Sequence, residues 1–239
     1  MEGLSDAVTS DRMRKLFCAG YCRVFVPSLA GPNLYALTPK GRDLVADALE
    51  LDPAELRVVT TLPKRLDHLL AIGEQRIHLA VAIKRSTRYD LASFRSDHDL
   101  AGPRHRSGTD LVPDALVEID NTETNARTTL AWEIDLGSES CSYIVQKKLA
   151  RYVAHAHARV ALYGALDPIV LFVAHSTRRA RNIARLMKAH GVEGRIAFAV
   201  RDALDETNIL GARYALPREL AETADDRTAS ACFRHTLLG

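Results

Sequence analysis

Apolar and polar positions in the first fifty residues follow the order of a helix, a β-hairpin and a second helix. Residues 11–19 repeat apolar side chains at helical spacing, with basic side chains mostly off that stripe. Apolar and aromatic residues dominate 22–26 and 33–37, and the Gly- and Pro-containing stretch between them predicts a hairpin with a longer loop. Thr38 suits the cap of the helix that follows, and Pro39 suits its first position.

After residue 60 the pattern alternates between helix-like and strand-like segments. It predicts a helix, three strands, a helix, a strand, a helix and a last strand, over about 65–84, 89–94, 115–119, 128–132, 139–162, 169–174, 177–190 and 195–200. The unbroken apolar run over 169–174 is typical of a strand that is buried on both faces. We therefore expect an α/β fold (α+β overall). It would have a helix–hairpin–helix module in 1–60, a mixed sheet flanked by helices in 61–205, and an irregular surface tail in 206–239.

Composition narrows the class of protein. Hydrophobic residues make up 47% of the chain and charged residues 26%, as in ordinary soluble globular proteins. No apolar stretch approaches the roughly 18–20 residues that span a bilayer, and the acidic N-terminus lacks the apolar core of a signal peptide. The four scattered cysteines form no disulfide framework and fit a reducing compartment. We expect a cytoplasmic protein without a membrane partner.

Charge is distributed unevenly along the chain. Between residues 110 and 139 there are eight acidic residues and one basic residue, Arg127, although the net charge of the whole chain is only +2. The segments on either side, 76–95 and 178–188, are basic. A negative centre with positive flanks suits a metal-dependent site that acts on a polyanion. Solvated helix faces are the alternative explanation for the flanking arginines.

Three acids are brought together by the predicted strands. Asp114 immediately precedes one strand, and Glu133 and Asp135 follow the core of the next. Neighbouring carboxylates repel one another unless protons or a cation neutralise them. Carboxylate oxygens suit Mg²⁺ and Mn²⁺, and an ion held in this way activates water for phosphodiester cleavage. We therefore predict that these three side chains bind Mg²⁺ or Mn²⁺ if the protein is catalytically active.

The same residues resemble the metal-binding signature of the PD-(D/E)XK nuclease superfamily, which has Pro-Asp on one strand and acidic-x-Lys on the next. The Pro-Asp step ends at Asp114, and Glu133 is the acid of the second strand. The resemblance implies a restriction-endonuclease-like sheet, with Asp114, Glu133 and Asp135 as catalytic candidates. Asp135 stands where the signature has lysine. Lys148 lies on the next predicted helix, from which some members supply the lysine, and is the fourth catalytic candidate.

The predicted helix at 65–84 carries three further side chains of interest. Some members of the superfamily supply a metal ligand from their first helix, and Glu74 would be that residue, with an ordinary surface glutamate as the alternative. His68 and His78 do not have the spacing of a two-histidine metal site, and we predict that they are surface or packing residues.

The helix–hairpin–helix module resembles the second half of a bacterial winged-helix DNA-binding domain. The resemblance rests on the basic helix, the wing-like hairpin and the sequence Leu-Thr-Pro-Lys-Gly at 37–41. It implies double-stranded DNA as a partner, with four basic side chains as candidate DNA contacts: Arg12, Arg14, Lys15 and Arg23. About ten residues precede the basic helix, where a full winged helix has two more helices. A module used only for packing or dimerisation is therefore the alternative.

Several short motifs occur in a fixed order between about residues 10 and 205. They are Leu-Thr-Pro-Lys-Gly at 37–41, Leu62-Pro63 followed by His68-Leu69-Leu70, Pro113-Asp114-Ala115, the acidic segment 133–140, and Lys-Leu-Ala-Arg-Tyr at 148–152. Together they resemble the plasmid replication-relaxation proteins of bacterial plasmids and integrative elements. This resemblance implies a winged-helix module joined to a nuclease-like domain that handles mobile-element DNA, with Glu139 as a further site candidate.

Three functions follow as hypotheses. The first is a homodimeric DNA-binding accessory or regulatory protein of plasmid or mobile-element replication or transfer, whose nuclease-like domain is degenerate because Asp135 replaces lysine. The second is an active Mg²⁺-dependent nuclease or nickase in which Lys148 takes the place of that lysine. The third is a dimeric scaffold without a DNA role. The sequence favours the first.

Overall fold

The computed structural model describes residues 6–27, 32–56, 58–101, 111–211 and 213–238. The chain divides into two compact units, Met1–Leu66 and Asp67–Gly239. The sequence predicted a division after residue 60 and a second division after residue 205. The residues after 205 instead belong to the second compact unit.

The first unit has the predicted order of helix, hairpin and helix. Its elements are α1 (Asp6–Cys18), β1 (Cys22–Phe25), β2 (Leu34–Leu37), α2 (Pro39–Leu49) and a 3-10 turn (Pro53–Glu55). The strands pair antiparallel, and residues 28–31 of the predicted hairpin loop lie outside the described residues. Thr38 caps α2 by accepting a hydrogen bond from the Gly41 amide. A Cβ atom at Gly41 would lie 2.0 Å from the Tyr21 carbonyl oxygen, so α2 begins in direct contact with the backbone that precedes β1.

The second unit is built around one mixed sheet. Its elements are α3 (Leu66–Arg85), β3 (Tyr89–Ser96), α4 (Asp97–Leu100), β4 (Ala115–Asn121), β5 (Ala126–Asp135), α5 (Cys141–Tyr143), a π-helical turn (Ile144–Leu149), α6 (Ala150–His157), β6 (Ile169–Ala174), α7 (Thr177–Ala189), β7 (Ile196–Val200), a 3-10 turn (Arg201–Ala203), α8 (Pro217–Glu222) and α9 (Asp226–Ser230). The sheet order is β3-β4-β5-β6-β7. The first three strands form an antiparallel meander, whereas β5, β6 and β7 run parallel. The predicted α/β fold with a mixed sheet and flanking helices is confirmed.

Successive residues of the central strands face opposite layers of helices, as the twofold repeat of a strand requires. Ala131 packs in the apolar cluster that contains residues of the π-helical turn, α6 and α7. Trp132 packs in the cluster that contains residues of α3, and its ring meets Phe94 edge to face with centroids 5.9 Å apart. Because the alternation continues along β5, Glu133 and Asp135 point to the same side as Ala131, towards the helical segment 141–157.

The segment after residue 205 differs from the predicted irregular surface tail. It contains α8 and α9, and Leu220 and Ala229 are completely buried against the sheet-and-helix core. Ala215 and Phe198 exchange backbone hydrogen bonds of 2.9 Å, so this segment also pairs with β7. Two helices of six and five residues are too short to show the helical repeat in the sequence. Within the described ranges, no helix combines the length and apolar character needed to cross a bilayer.

Candidate active site

Asp114 immediately precedes β4 and is hydrogen-bonded to β5. Its amide donates to the carbonyl of Trp132 at 3.0 Å, and its Oδ2 accepts a hydrogen bond of 2.7 Å from the amide of Ile134. The residue between these two on β5 is Glu133. The register of the two strands, with Ala115 opposite Trp132, therefore brings the Asp114 and Glu133 carboxylates together, as the sequence predicted.

Glu133 is buried and is held by two side chains from the helical segment 141–157. Its Oε1 accepts a hydrogen bond of 2.5 Å from the Tyr152 hydroxyl, and its Oε2 lies 3.4 Å from Lys148 Nζ. Burial, followed by the negative charge of Asp114, raises the pKa of Glu133 to about 7. The site thus contains a carboxyl group whose ionised form is disfavoured by burial and by a second acid.

Lys148 lies between two acids. Its Nζ is 3.4 Å from Glu133 Oε2 and 3.2 Å from Glu139 Oε2. Burial opposes the charged form, but the negative charges of Glu133, Asp114 and Glu139 outweigh it and raise the pKa of Lys148, so the side chain is a cation. Lys148 belongs to the π-helical turn, a local departure from α-helix that is frequent at functional sites. The four-residue spacing of Lys148 and Tyr152 places both on the side that faces Glu133.

Asp135 is paired elsewhere. Arg179 at the start of α7 donates to both of its oxygens, with Nε–Oδ2 at 2.6 Å and Nη2–Oδ1 at 3.1 Å, and the Gly137 amide donates to Oδ1 at 2.9 Å. Arg179 also donates to the carbonyl oxygen of Glu139. In the part of the chain that the structure describes, no three His, Cys, Asp or Glu side chains form a cluster that would hold a metal ion. The predicted three-carboxylate site is therefore replaced by a pair, Asp114 and Glu133, with Asp135 bound to an arginine.

The predicted helix over 65–84 contributes His68 to the site, and not Glu74, which the sequence offered as a metal ligand. His68 Nε2 lies 2.9 Å from Asp114 Oδ1, so His68 contacts the site, and the prediction that it is a surface or packing residue is wrong. Its pKa is raised, mainly by the hydrogen bond with Asp114. His78 is half-buried, 3.9 Å from Glu206, and Glu74 is exposed on α3.

The four predicted DNA contacts lie in the first unit. Arg14 and Lys15 are exposed, and each forms an ion pair of 2.7 Å with Asp11. Arg12 is also exposed. Arg23 is partly buried and donates to the Thr60 carbonyl oxygen at 3.3 Å. Three of the four side chains are therefore accessible to a polyanion, whereas Arg23 also has a partner within its own unit.

Sequence reasoning missed two residues of the site, His68 and Arg179. Arg179 was visible only as part of a basic segment, and His68 was noted on the helix at 65–84 and in the Leu-Pro…His-Leu-Leu motif but was interpreted as a surface or packing residue. Neither signal identifies a partner, because each partner lies more than forty residues away along the chain.

The chain also matches a known protein family. The family model described as Replication-relaxation matches residues 2–165, which is more than half of the chain. The matched range contains Asp114, Glu133, Lys148, Tyr152 and His68, and it ends before Arg179. Neither the comparison with curated proteins nor the comparison with solved structures gave a significant match. The predicted resemblance is confirmed, and the chain belongs to the replication-relaxation family.

Proposed function

We propose that this protein is a metal-dependent DNA-cleaving enzyme that nicks DNA during the replication or transfer of a mobile element. The observation that carries the proposal is the position of Lys148, whose Nζ lies 3.4 Å from Glu133 Oε2. Asp135 at the lysine position was the reason to expect a degenerate site. A lysine from the following helix beside the same glutamate removes that reason, so the second of the three hypotheses becomes the preferred one.

Asp114 and Glu133 are the residues that would hold Mg²⁺ or Mn²⁺. Both present carboxylate oxygens, and burial together with the charge of Asp114 raises the pKa of Glu133, so a cation that binds the pair would favour the ionised form. Mg²⁺ is commonly bound through one or two carboxylates, with water and substrate phosphates as its other ligands, so a pair of acids is sufficient. When bound, such an ion lowers the pKa of a water molecule and stabilises negative charge on a phosphoryl group. Asp135 does not fit this role, because the Arg179 guanidinium already neutralises its buried carboxylate in a doubly hydrogen-bonded ion pair.

The chain's own side chains have separate roles in the proposed reaction. Lys148 would stabilise the negative charge that develops at the scissile phosphate, as a cation held in advance by Glu133 and Glu139. Tyr152 would fix the Glu133 carboxylate through its hydroxyl. The Asp135–Arg179 pair would anchor the end of β5 and, through the Glu139 carbonyl, the segment that leads to Lys148.

DNA is the proposed substrate for two reasons. The replication-relaxation family indicates a role in replication or in mobile-element processes. In addition, exposed basic side chains on α1, including Arg12, suit a phosphate backbone. The described residues of one chain contain one such site, which would cut one strand, so nicking is the expected reaction.

The test is cleavage of supercoiled plasmid in the presence of Mg²⁺ or Mn²⁺. The wild-type protein should convert the plasmid to the nicked form, and Asp114→Asn and Lys148→Met should abolish this conversion. Lys147→Met is the matched control, because Lys147 is the exposed neighbour of Lys148 and should be dispensable. Intact plasmid after incubation with folded wild-type protein, or full activity of Lys148→Met, would contradict the proposal.

A DNA-binding accessory protein without cleavage is the second candidate. The observation in its favour is that Asp135, at the lysine position of the signature, binds Arg179 and leaves that position without a cation aimed at a substrate. This candidate predicts that the protein retards DNA on a gel in a salt-dependent manner and leaves plasmid intact with either ion.

A further inference from the structure

Two groups from different elements fix the two oxygens of Asp114. The amide of Ile134 on β5 donates to Oδ2 at 2.7 Å, and His68 on α3 lies 2.9 Å from Oδ1 through its Nε2. An ionised carboxylate only accepts hydrogen bonds, so Nε2 is the protonated nitrogen of this contact. The side chains of His68 and Asp114 are only 22% and 14% exposed, so water competes weakly for the contact.

The position of His68 differs from that of a packing histidine. Ile72 and Leu79 of α3 are buried in the apolar core, whereas the His68 side chain is partly exposed and contacts a carboxylate. His78, on the same helix, lies 3.9 Å from Glu206, a longer distance than that between His68 and Asp114. Within α3, therefore, His68 is the histidine that links the helix to the acids at the edge of the sheet.

We propose that His68 is a positioning residue that holds the Asp114 carboxylate beside Glu133 for binding a divalent cation. This inference rests on the proposed function. A carboxylate that rotates freely must be ordered when an ion binds, and a hydrogen bond from a neighbouring element supplies that order in advance. Partners of this kind, which touch a ligand and not the ion, typically change metal affinity or activity by about 10- to 100-fold when removed.

The experiment measures Mn²⁺ binding to the full chain by calorimetry, alongside kcat and KM for plasmid nicking. His68→Ala should weaken Mn²⁺ binding by at least about tenfold and lower kcat with little change in KM. His68→Gln keeps an amide donor at similar reach and should recover most of the affinity, which a purely structural role would not explain. His78→Ala is the matched control and should bind Mn²⁺ as the wild type does.

A double-mutant cycle with Asp114→Asn completes the test. If His68 acts through Asp114, then His68→Ala has no further effect on Mn²⁺ binding in the Asp114→Asn background. Two results would overturn the role of His68 but not the proposed function. In the first, Mn²⁺ binding depends on Asp114 but is unchanged in His68→Ala. In the second, His68→Gln binds Mn²⁺ as weakly as His68→Ala does. If Asp114→Asn changes neither Mn²⁺ binding nor plasmid nicking, the proposed function itself is overturned.

Discussion

Asp135 and Arg179 form a buried, doubly hydrogen-bonded ion pair at the position where the nuclease signature has lysine. The carboxylate is only 5% exposed and the guanidinium 14% exposed, with contacts of 2.6 and 3.1 Å. Asp135, which stands in place of the signature lysine, is thus neutralised by an arginine from α7. The cation nearest to Glu133 comes from a third element, the π-helical turn that carries Lys148.

Loss of Arg179 should destabilise the protein strongly. Arg179→Met leaves the buried Asp135 carboxylate without its charge partner, which typically costs about 3–5 kcal/mol. The free energy of unfolding from urea titration measures this cost. The double variant Asp135→Asn with Arg179→Gln removes both charges and should recover a large part of it.

Arg178→Met is the control for this prediction, since Arg178 is exposed on the same turn of α7. Its effect should stay within about 0.5 kcal/mol. An Arg179→Met variant as stable as Arg178→Met would mean that the pair does not stabilise the end of β5.

The stability of the ion-free protein should fall as pH rises through the range set by Glu133. Burial and the charge of Asp114 raise the pKa of this group from 4.5 to about 7 in the folded state. Between those values the unfolded chain has released the proton while the folded protein retains it, so increasing pH favours unfolding. The stability that protonated Glu133 contributes is about 3 kcal/mol. It is fully present below pH 4.5 and is lost once the pH exceeds about 7.

Glu133→Gln isolates this contribution. In EDTA the variant and the wild type should have similar unfolding free energies near pH 4.5, and the variant should be the more stable at pH 8. Addition of Mg²⁺ at pH 8 should stabilise the wild type and leave the variant unchanged, because the ion binds the ionised carboxylate that the variant lacks. A difference between the two proteins that stays constant with pH would show that Glu133 titrates normally.

Removal of the Tyr152 hydroxyl should weaken both stability and cleavage. Tyr152→Phe leaves Glu133 Oε1 without its 2.5 Å hydrogen bond in a buried site, at a cost of about 1–3 kcal/mol. Because this hydrogen bond lowers the pKa of Glu133, the pH range described above should extend upward in the variant. Nicking should decrease by about tenfold or more. Tyr143→Phe, at an exposed tyrosine of α5, should change neither property, and equal behaviour of the two variants would refute the role of Tyr152.

DNA binding should depend on the basic side chains of α1. Each phosphate contact contributes about 0.9 to the slope of log affinity against log salt concentration, so replacing Arg12, Arg14 and Lys15 with Ala should flatten the slope by up to about 2.7. Arg12 should contribute most, because Asp11 already neutralises part of the charge on the other two side chains. Fluorescence anisotropy with labelled duplex DNA at several salt concentrations measures the slope. Lys188→Ala, at an exposed residue paired with Glu222 in the second unit, is the control, and an unchanged slope in the triple variant would exclude α1 as a DNA contact.

The sequence by itself determined the local elements and the pair of acids. The apolar run over 169–174 is long enough and β-branched enough to predict a buried strand, and the strand is β6. The four-residue spacing of Lys148 and Tyr152 on a helix predicts that both face one side, and both contact Glu133. These features depend on residues that are close along the chain, where the geometry of a helix or a strand is sufficient to place them.

Only the tertiary structure decided which partners the charged side chains have. Asp135 is bound by Arg179, which lies 44 residues away, and Asp114 by His68, 46 residues away. These contacts depend on the register of β4 and β5 and on where α3 and α7 begin over the sheet. No local pattern encodes that arrangement, because it results from packing two helical layers against opposite faces of one sheet. The same packing turned the presumed triad of metal ligands into a pair of acids, a buried ion pair and a lysine held between two glutamates.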